Sequence, residues 1–438
     1  MRYVFRPIRT WSRRAVIRYL LLALYLLAVL EATFDLGLGL IPGLSAKNLL
    51  LYALIFTIFA RAVLANTKIF VPLASIHIAF MLLAAYGTLS WVINWLFDPT
   101  YPSFQGLKSL KSELVDNFLF FLVFFFGPNN YKDAKDIFIF GLYLIALMSI
   151  MTIIDTVGIF DFGFMQRDAD GRVRGPIGES NQYGAFMVFF VPLFAAMALG
   201  SKGIARIGWW LVFFCGFGLL IVTGSRGAYL GLLAGCIFGL KFVRPYFGGF
   251  QIWRTAGKMA GILLVIVLAI GLANMELVTE RIEQSTSTDV EKMSSGRASI
   301  WRATVLVQAQ EPFSFLVGKG WNAHSNSGIW KSAHNYYLLI LFELGAIGVF
   351  LFGLLMYVVI RQVRTLIVRT EGKERVLMCG VAYGLFGLLV SIMFVDLSVP
   401  WFYIWSFLGM SLRIAFEKDQ EFHREREYEV GKTSGQLA

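Results

Sequence analysis

Apolar runs of about twenty residues recur along almost the whole of this 438-residue chain. A helix of about 20 apolar residues is long enough to cross a bilayer, where only helices and closed barrels satisfy their backbone hydrogen bonds. A barrel would show short segments of alternating hydrophobicity, and the runs here do not alternate. The runs therefore predict an all-α, polytopic integral membrane protein.

The composition agrees with this fold class. The chain is 57% hydrophobic and 15% charged, whereas a soluble domain carries about 25% charged residues. The three cysteines lie inside apolar runs and form neither a disulfide framework nor a metal-binding CxxC pair. The net charge of +11 is explained mostly by membrane orientation, so we predict membrane lipid as a partner and no nucleic acid.

We predict about twelve membrane helices, with one long connection between the ninth and the tenth. Their expected ranges are 18–36, 49–66, 69–97, 113–127, 136–158, 183–200, 206–223, 227–243, 256–275, 334–360, 375–396 and 400–416. The long loop, residues 275–333, is polar but holds apolar anchors such as Trp301 and Trp321. Because loops of this length are usually functional or disordered, we expect this one to fold onto the membrane surface.

The distribution of Lys and Arg residues predicts the orientation of the chain in the membrane. If the N-terminus is cytoplasmic, the cytoplasmic segments hold 26 of the 39 Lys and Arg residues, as the positive-inside rule requires. Both termini are then cytoplasmic and the long loop is extracytoplasmic. The expected organisation is a basic N-terminus (1–17), helices 1–9 (18–274), an extracytoplasmic catalytic loop (275–333), helices 10–12 (334–416) and a solvated cytoplasmic tail (417–438).

The positive-inside rule disfavours arginines on the extracytoplasmic side of the membrane, so the arginines predicted there are candidates for function. Arg226 follows the tight turn Thr223-Gly224-Ser225 and begins a helix. Helix N-termini favour anions, and a guanidinium adds a two-pronged donor for phosphate. The alternative is an arginine that snorkels to the interface. Glycines at every fourth position of that helix predict close packing on a neighbour: Gly227, Gly231, Gly235 and Gly239.

Two further basic segments lie on the same side. Arg172 and Arg174, in a Gly/Pro-punctuated loop, would either face the same anion or be solvated. Arg297 follows Ser294-Ser295-Gly296 and opens an amphipathic helix, which again places an arginine at a helix start.

A histidine heads the tenth membrane helix. The helix dipole and nearby arginines disfavour the charged form of His334, so a neutral imidazole there is suited to act as a general base. A histidine at the interface without a role is the alternative. His324, in a flexible-looking Asn/Ser segment, is the rival base.

Other chemistries lack their signatures. The far-side loops show no His/carboxylate pair at metal-ligand spacing, and the chain has no G-x-S-x-G, P-loop or Rossmann motif. We therefore predict no metal and no cofactor. Arginines beside a neutral base suit a lipid-linked diphosphate, whose developing charge the arginines would stabilise while the histidine deprotonates a hydroxyl.

An ordered set of short motifs over roughly residues 170–350 resembles the O-antigen ligase and polymerase superfamily, bacterial glycosyltransferases of the metal-independent GT-C type. The motifs are Arg174-x-x-x-Gly178-x-x-Asn181, Thr223-Gly224-Ser225-Arg226-Gly227, Gly296-Arg297, Gly318-Lys319-Gly320 and His334-Asn335-Tyr336-x-Leu338 with Glu343-x-Gly345-x-x-Gly348. The resemblance implies an inner-membrane enzyme that transfers a glycan from undecaprenyl diphosphate with inversion.

The resemblance also implies roles. Arg226 and Arg297, with Arg174 less closely matched, would bind the diphosphate, and His334 would be the base. Arg172, Asn335, Glu343 and His324 are possible supports. The acceptor would be lipid A–core, a growing glycan or a protein, and we favour a ligase over a polymerase. A transporter or flippase of lipid-linked glycan, or an assembly factor without a site, remains as an alternative class.

Overall fold

A computed structural model describes residues 11–34, 39–41, 44–64, 73–160, 162, 172–244, 279, 283, 286, 288–329, 332–397 and 401–435. Its elements in the first half are α1 (Trp11–Phe34), β1 (Gly39–Ile41), β2 (Leu44–Ser45), α2 (Ala46–Leu64), α3 (Ala74–Phe97), α4 (Ser103–Leu110), a π-helical turn (Lys111–Val115), α5 (Asp116–Phe126) and α6 (Tyr131–Thr156).

The second half continues with a 3₁₀ turn (Gly175–Ile177), α7 (Ser180–Gly200), α8 (Gly203–Val222), α9 (Arg226–Val243), α10 (Val290–Ser294), α11 (Arg297–Ala309), α12 (Pro312–Val317), a 3₁₀ turn (Ala323–Asn326), α13 (Tyr336–Arg369), α14 (Gly372–Ser391) and α15 (Trp401–Gly435). Apart from the short antiparallel β1–β2 pair, the described residues form helices and their connections.

The all-α fold class is confirmed. Six helices within the described ranges are long and apolar enough to cross a membrane: α3, α6, α7, α8, α13 and α14. The chain is therefore a multi-pass membrane protein, and the count of twelve spans stays a prediction. The predicted ninth helix at 256–275 lies outside the described residues, as do positions 1–10 of the basic N-terminus and most of 275–287.

Glycine faces bring the central helices together, as the four-residue spacing predicts. A Cβ on Gly231 would lie 2.0 Å from Ser391 Oγ, and one on Gly235 would lie 2.7 Å from the carbonyl oxygen of Tyr383. Helix α14 lies equally close to α7, since a Cβ on Gly384 would stand 2.6 Å from the Phe189 carbonyl oxygen. Helix α14 is thus held between α7 and α9, and this packing fixes where α9 begins.

Several predicted helix boundaries differ from the structure by five residues or more, and the two at residues 113 and 416 differ most. Helical structure begins at Ser103 rather than at residue 113, because the polar side chains that interrupt the apolar run find local partners: Lys111 Nζ lies 2.9 Å from Asp116 Oδ2, and Ser109 donates to Glu113 at 2.8 Å. At the other end, α15 continues to Gly435 through the charged tail. Its first tail residues are anchored, since Arg369 pairs with the buried Asp419 at 3.4 Å.

Candidate functional site

The turn between α8 and α9 is buried and rigid around one arginine. Thr223 and Ser225 are almost completely buried, and Gly224 takes a positive φ of 59°. Ser225 caps α9 by accepting a hydrogen bond from the amide of Ala228 at 3.4 Å. Arg226 is therefore the first residue of the helix, half-buried, as the sequence predicted.

The side chain of Arg226 reaches the long loop. Its Nη2 donates to Ser295 Oγ at 2.7 Å. Ser295 and Gly296 both take positive φ, 55° and 78°, which ends α10 and reverses the chain into α11. Arg297 is the first residue of α11, and the amide of the next residue is capped by Ser294 Oγ at 3.1 Å. The Arg226 side chain therefore reaches the start of α11, the helix whose first residue is Arg297, and the backbone dipole there also favours an anion.

The third basic segment crosses the same turn. The amide of Val173 donates to the carbonyl of Val222 at 3.4 Å, which places Arg172 and Arg174 directly beside the start of the Arg226 turn. Arg172 Nη1 donates to Asn181 Oδ1 at 3.3 Å. The structure thus brings the segments of all four predicted arginines to one end of the bundle.

The predicted base does not lie within its helix. His334 stands two residues before α13 with a φ of 46°, and Asn335 is the N-cap, whose Oδ1 accepts from the Leu338 amide at 3.1 Å. The helix therefore begins two residues after the predicted start, since the Asn335 side chain supplies the cap. Asn335, which the sequence suggested as a support, forms this helix start.

A carboxylate that sequence reasoning missed holds the His334 backbone. Asp396 Oδ2 accepts from the amide of His334 and Oδ1 from that of Asn335, both at 2.8 Å. The next amide, of Tyr336, donates to the carbonyl of Ile392 at 2.9 Å. The available signal was an acidic residue at the far-side end of an otherwise apolar segment.

Helix α11 connects the arginine turn to the histidine. Ser295, just before α11, binds the Arg226 turn, and six residues later Trp301 Nε1 donates to the carbonyl of Ala333 at 2.8 Å. A second link passes through the bundle, since a Cβ on Gly227 would lie 2.6 Å from Phe394 Cβ, two residues before Asp396. The segments that carry Arg226, Arg297 and His334 are therefore joined through α11 and through the contact between Gly227 and Phe394.

His324 is placed differently from the expectation. It lies in a 3₁₀ turn rather than a flexible segment and is only 4% exposed. Its Nε2 is 3.3 Å from Thr304 Oγ1, and its ring meets that of Phe342 edge-on at 5.2 Å. Burial lowers the pKa of His324, and the negative charge of Asp396 opposes that shift. His324 thus packs between α11 and α13 as a mostly neutral core residue.

Glu343 binds the long loop to α13 through hydrogen bonds. It is 7% exposed, and its carboxylate accepts hydrogen bonds from the amides of Asn322 and His324. Helix α13 is kinked just beyond it, because Gly345 takes a non-helical φ of 66°. A Cβ on Gly345 would lie 2.3 Å from the Leu316 carbonyl oxygen. Glu343 and Gly345 therefore position the loop beneath the site.

Together these groups suit a group-transfer reaction in which the leaving group is an anion. Guanidinium groups and helix-terminal amides concentrate positive potential at one spot, and an imidazole on a constrained backbone lies in the adjoining segment. This arrangement stabilises negative charge that develops on a leaving group while a proton is taken up nearby.

A family model matches the part of the chain that contains most of these residues. Residues 211–353, about a third of the chain, match the model of the O-antigen ligase family. The match runs from α8 into α13 and contains Arg226, Arg297, His324, His334 and Glu343, whereas Arg172, Arg174 and Asp396 lie outside it. No curated protein matches the chain. Residues 211–353 therefore form a domain that is similar to the O-antigen ligase family.

Proposed function

We propose that the protein is an O-antigen ligase-like glycosyltransferase that moves a glycan from undecaprenyl diphosphate to an acceptor hydroxyl. The observation that carries the proposal is the hydrogen bond from Arg226 to Ser295, which places two arginines at the start of α11. A diphosphate needs such a cluster, since its charge grows as the bond to the sugar breaks.

The proposed reaction is a single displacement. His334 takes the proton of the acceptor hydroxyl, and the oxygen attacks the anomeric carbon. The bond from that carbon to the diphosphate oxygen breaks on the opposite face, so the anomeric configuration inverts. Undecaprenyl diphosphate leaves with the bonding electron pair, and Arg226 and Arg297, with Arg174 and Arg172 nearby, stabilise its charge.

We also propose the setting of this reaction. The site faces the periplasm at the bacterial inner membrane, both termini are cytoplasmic, and residues 275–333 are the catalytic loop of a protein with about twelve spans. Acceptors in keeping with the superfamily are lipid A–core, a growing lipid-linked glycan or a protein hydroxyl. The products belong to surface polysaccharides such as O-antigen.

The first test compares matched arginines in the parent organism. Arg226→Lys keeps the charge but loses the two-pronged geometry, and His334→Ala removes the base. Arg206→Lys is the control, because Arg206 is exposed near the start of α8, at the end opposite the Arg226 turn. At equal membrane levels, the first two variants should accumulate lipid-linked glycan and lose the finished conjugate, and the control should not.

The missing product separates the two superfamily activities. Polymer that is not attached to its acceptor indicates a ligase, whereas accumulated single repeat units indicate a polymerase. Purified protein that joins substrates with no ion gradient excludes the transporter reading. Normal polysaccharide in both Arg226→Lys and His334→Ala would overturn the proposal.

A further inference from the structure

One segment of the long loop lies alongside two spanning helices instead of covering their ends. This segment, Glu311–Gly320, contains α12. The hydroxyl of Tyr86 lies 3.1 Å from the carbonyl oxygen of Val317, and Tyr86 is at the middle of α3. Stacked Trp91 and Trp95 are the type of pair that marks a membrane interface. Trp91 is five residues beyond Tyr86, so Val317 lies about 7 Å below that boundary.

The second spanning helix gives a matching depth. The amides of Lys319 and Gly320 donate to the carbonyls of Phe342 and Glu343, each at 3.0 Å. Helix α13 begins at Tyr336, and the six-residue step to Phe342 corresponds to about 9 Å along the axis. The segment thus reaches well beneath the end of the bundle at which His334 lies.

Its polar groups have protein partners, as non-spanning backbone at membrane depth requires. The amide of Gly318 donates to the carbonyl of Ser314 at 2.7 Å. Gln308 Nε2 donates to the carbonyls of Ser314 and Leu341 at 3.1 and 2.6 Å. Lys319 Nζ pairs with Glu311 Oε2 at 2.9 Å, and the Glu311 side chain, which is 67% exposed, lies where the segment begins.

The exposed apolar side chains are Val305 and Leu306 on α11 and Phe313, Phe315 and Leu316 on α12, with Phe313 at 71% exposure. The polar side chains of Arg302, Gln310 and Glu311 are exposed as well. The two spanning helices that the segment contacts, α3 and α13, also expose apolar side chains, which include Leu82, Leu89 and Phe350. Attachment to two spanning helices, together with the depth, indicates bilayer hydrocarbon as the occupant of the apolar positions.

We propose that Glu311–Gly320 is a re-entrant finger in the membrane leaflet on the His334 side, and that its apolar face contacts lipid acyl chains. The loop therefore penetrates the leaflet rather than lying flat on its surface. The inference does not depend on the reaction that the site performs.

The test measures what surrounds single nitroxide labels in lipid nanodiscs. In a variant with Cys215, Cys236 and Cys379 replaced by alanine, labels are attached at Phe313→Cys and Leu316→Cys. Ser325→Cys, exposed in the same loop, is the aqueous control, and Phe350→Cys, exposed on α13, is the lipid control. Oxygen concentrates in hydrocarbon and a nickel chelate in water, so the ratio of their collision rates reports depth.

Labels at 313 and 316 should match 350, with a ratio several-fold higher than at 325. If they match 325, the finger is in water and the proposal is overturned. If they are shielded from both reagents and show spin–spin broadening, a second copy covers the face and the proposal is equally overturned. Should Phe313→Cys not fold, Leu306→Cys on α11 tests the same face with the same two outcomes.

Discussion

Asp396 holds the backbone of His334 in a conformation that a non-glycine residue rarely adopts. The carboxylate accepts from the His334 amide at 2.8 Å while His334 keeps a φ of 46°. A left-handed residue of this kind costs free energy and persists only where its surroundings determine it. We therefore regard Asp396 as a positioning residue for the proposed base.

Replacing Asp396 should lower the rate of transfer more than it lowers substrate binding. A hydrogen bond to a charged group contributes about 1.5–3 kcal/mol, so Asp396→Ala should reduce kcat by roughly 10- to 100-fold. Asp396→Asn keeps one oxygen acceptor, so its kcat should lie between those of the native protein and of Asp396→Ala. The measurement is kcat and KM for the lipid-linked donor with purified protein. Equal rates in Asn and Ala variants would contradict the positioning role.

Removing the Ser295 hydroxyl should leave the Arg226 side chain less well oriented. Ser295→Ala deletes the acceptor of the 2.7 Å hydrogen bond but leaves both arginines charged, so donor KM should rise several-fold with a smaller effect on kcat. Ser332→Ala, at an exposed position of the same loop, is the matched control. An unchanged KM for Ser295→Ala would show that this contact does not orient the arginine.

Enlarging the glycine face of α9 should destabilise the bundle. In Gly231→Val the Cβ would overlap Ser391 Oγ and crowd the Gly387 carbonyl, and overpacking of this kind typically costs about 1–3 kcal/mol. Gly208→Ala is the control, since a Cβ there meets nothing within 4 Å. Thermal unfolding in detergent should show a lower transition temperature for Gly231→Val only.

Two glycines of α13 should respond in opposite ways to the same substitution. Gly345→Ala forces a side chain into a φ of 66° and against the Leu316 carbonyl, so it should lower both thermal stability and transfer. Gly353→Ala has open space around its Cβ and should be neutral or slightly stabilising, because alanine favours helix. Equal stability and activity of the two variants would contradict the proposal that the kink at Gly345 holds Leu316 of the loop in place.

Acid should weaken the fold through His324. Burial lowers its pKa below the ordinary 6.5, so the unfolded chain binds the proton more readily than the folded one. The stabilising contribution is complete above about pH 6.5 and is lost as the pH falls through the lowered pKa. The transition temperature of the native protein should therefore drop more between pH 7.5 and 5.5 than that of His324→Gln. A parallel drop in both proteins would contradict this assignment.

The sequence predicted those features that depend on local pattern. Apolar runs predicted the six spanning helices that the described residues contain, and the four-residue glycine spacing predicted that a neighbouring helix packs closely on α9. The Gly/Ser turns before Arg226 and Arg297 predicted that each arginine stands at a helix start, and both do. Asp396 was missed because its role arises from backbone amides that are 62 and 61 residues away in the chain. His324 was misjudged because Asn/Ser neighbours resemble a solvated loop, whereas burial comes from α11 and α13.

The chain contacts Arg226 at Ser295, two residues before α11, and Ala333 at Trp301, in the second turn of α11. Only six residues separate these two contacts, so the distance between the Arg226 turn and the segment before His334 depends on the start of α11 and not on the length of the rest of the loop. Insertions in the exposed turn at Ser325–Gly328 would leave that spacing unchanged. We therefore expect this outer turn to tolerate changes in length that the segment between Ser295 and Trp301 does not.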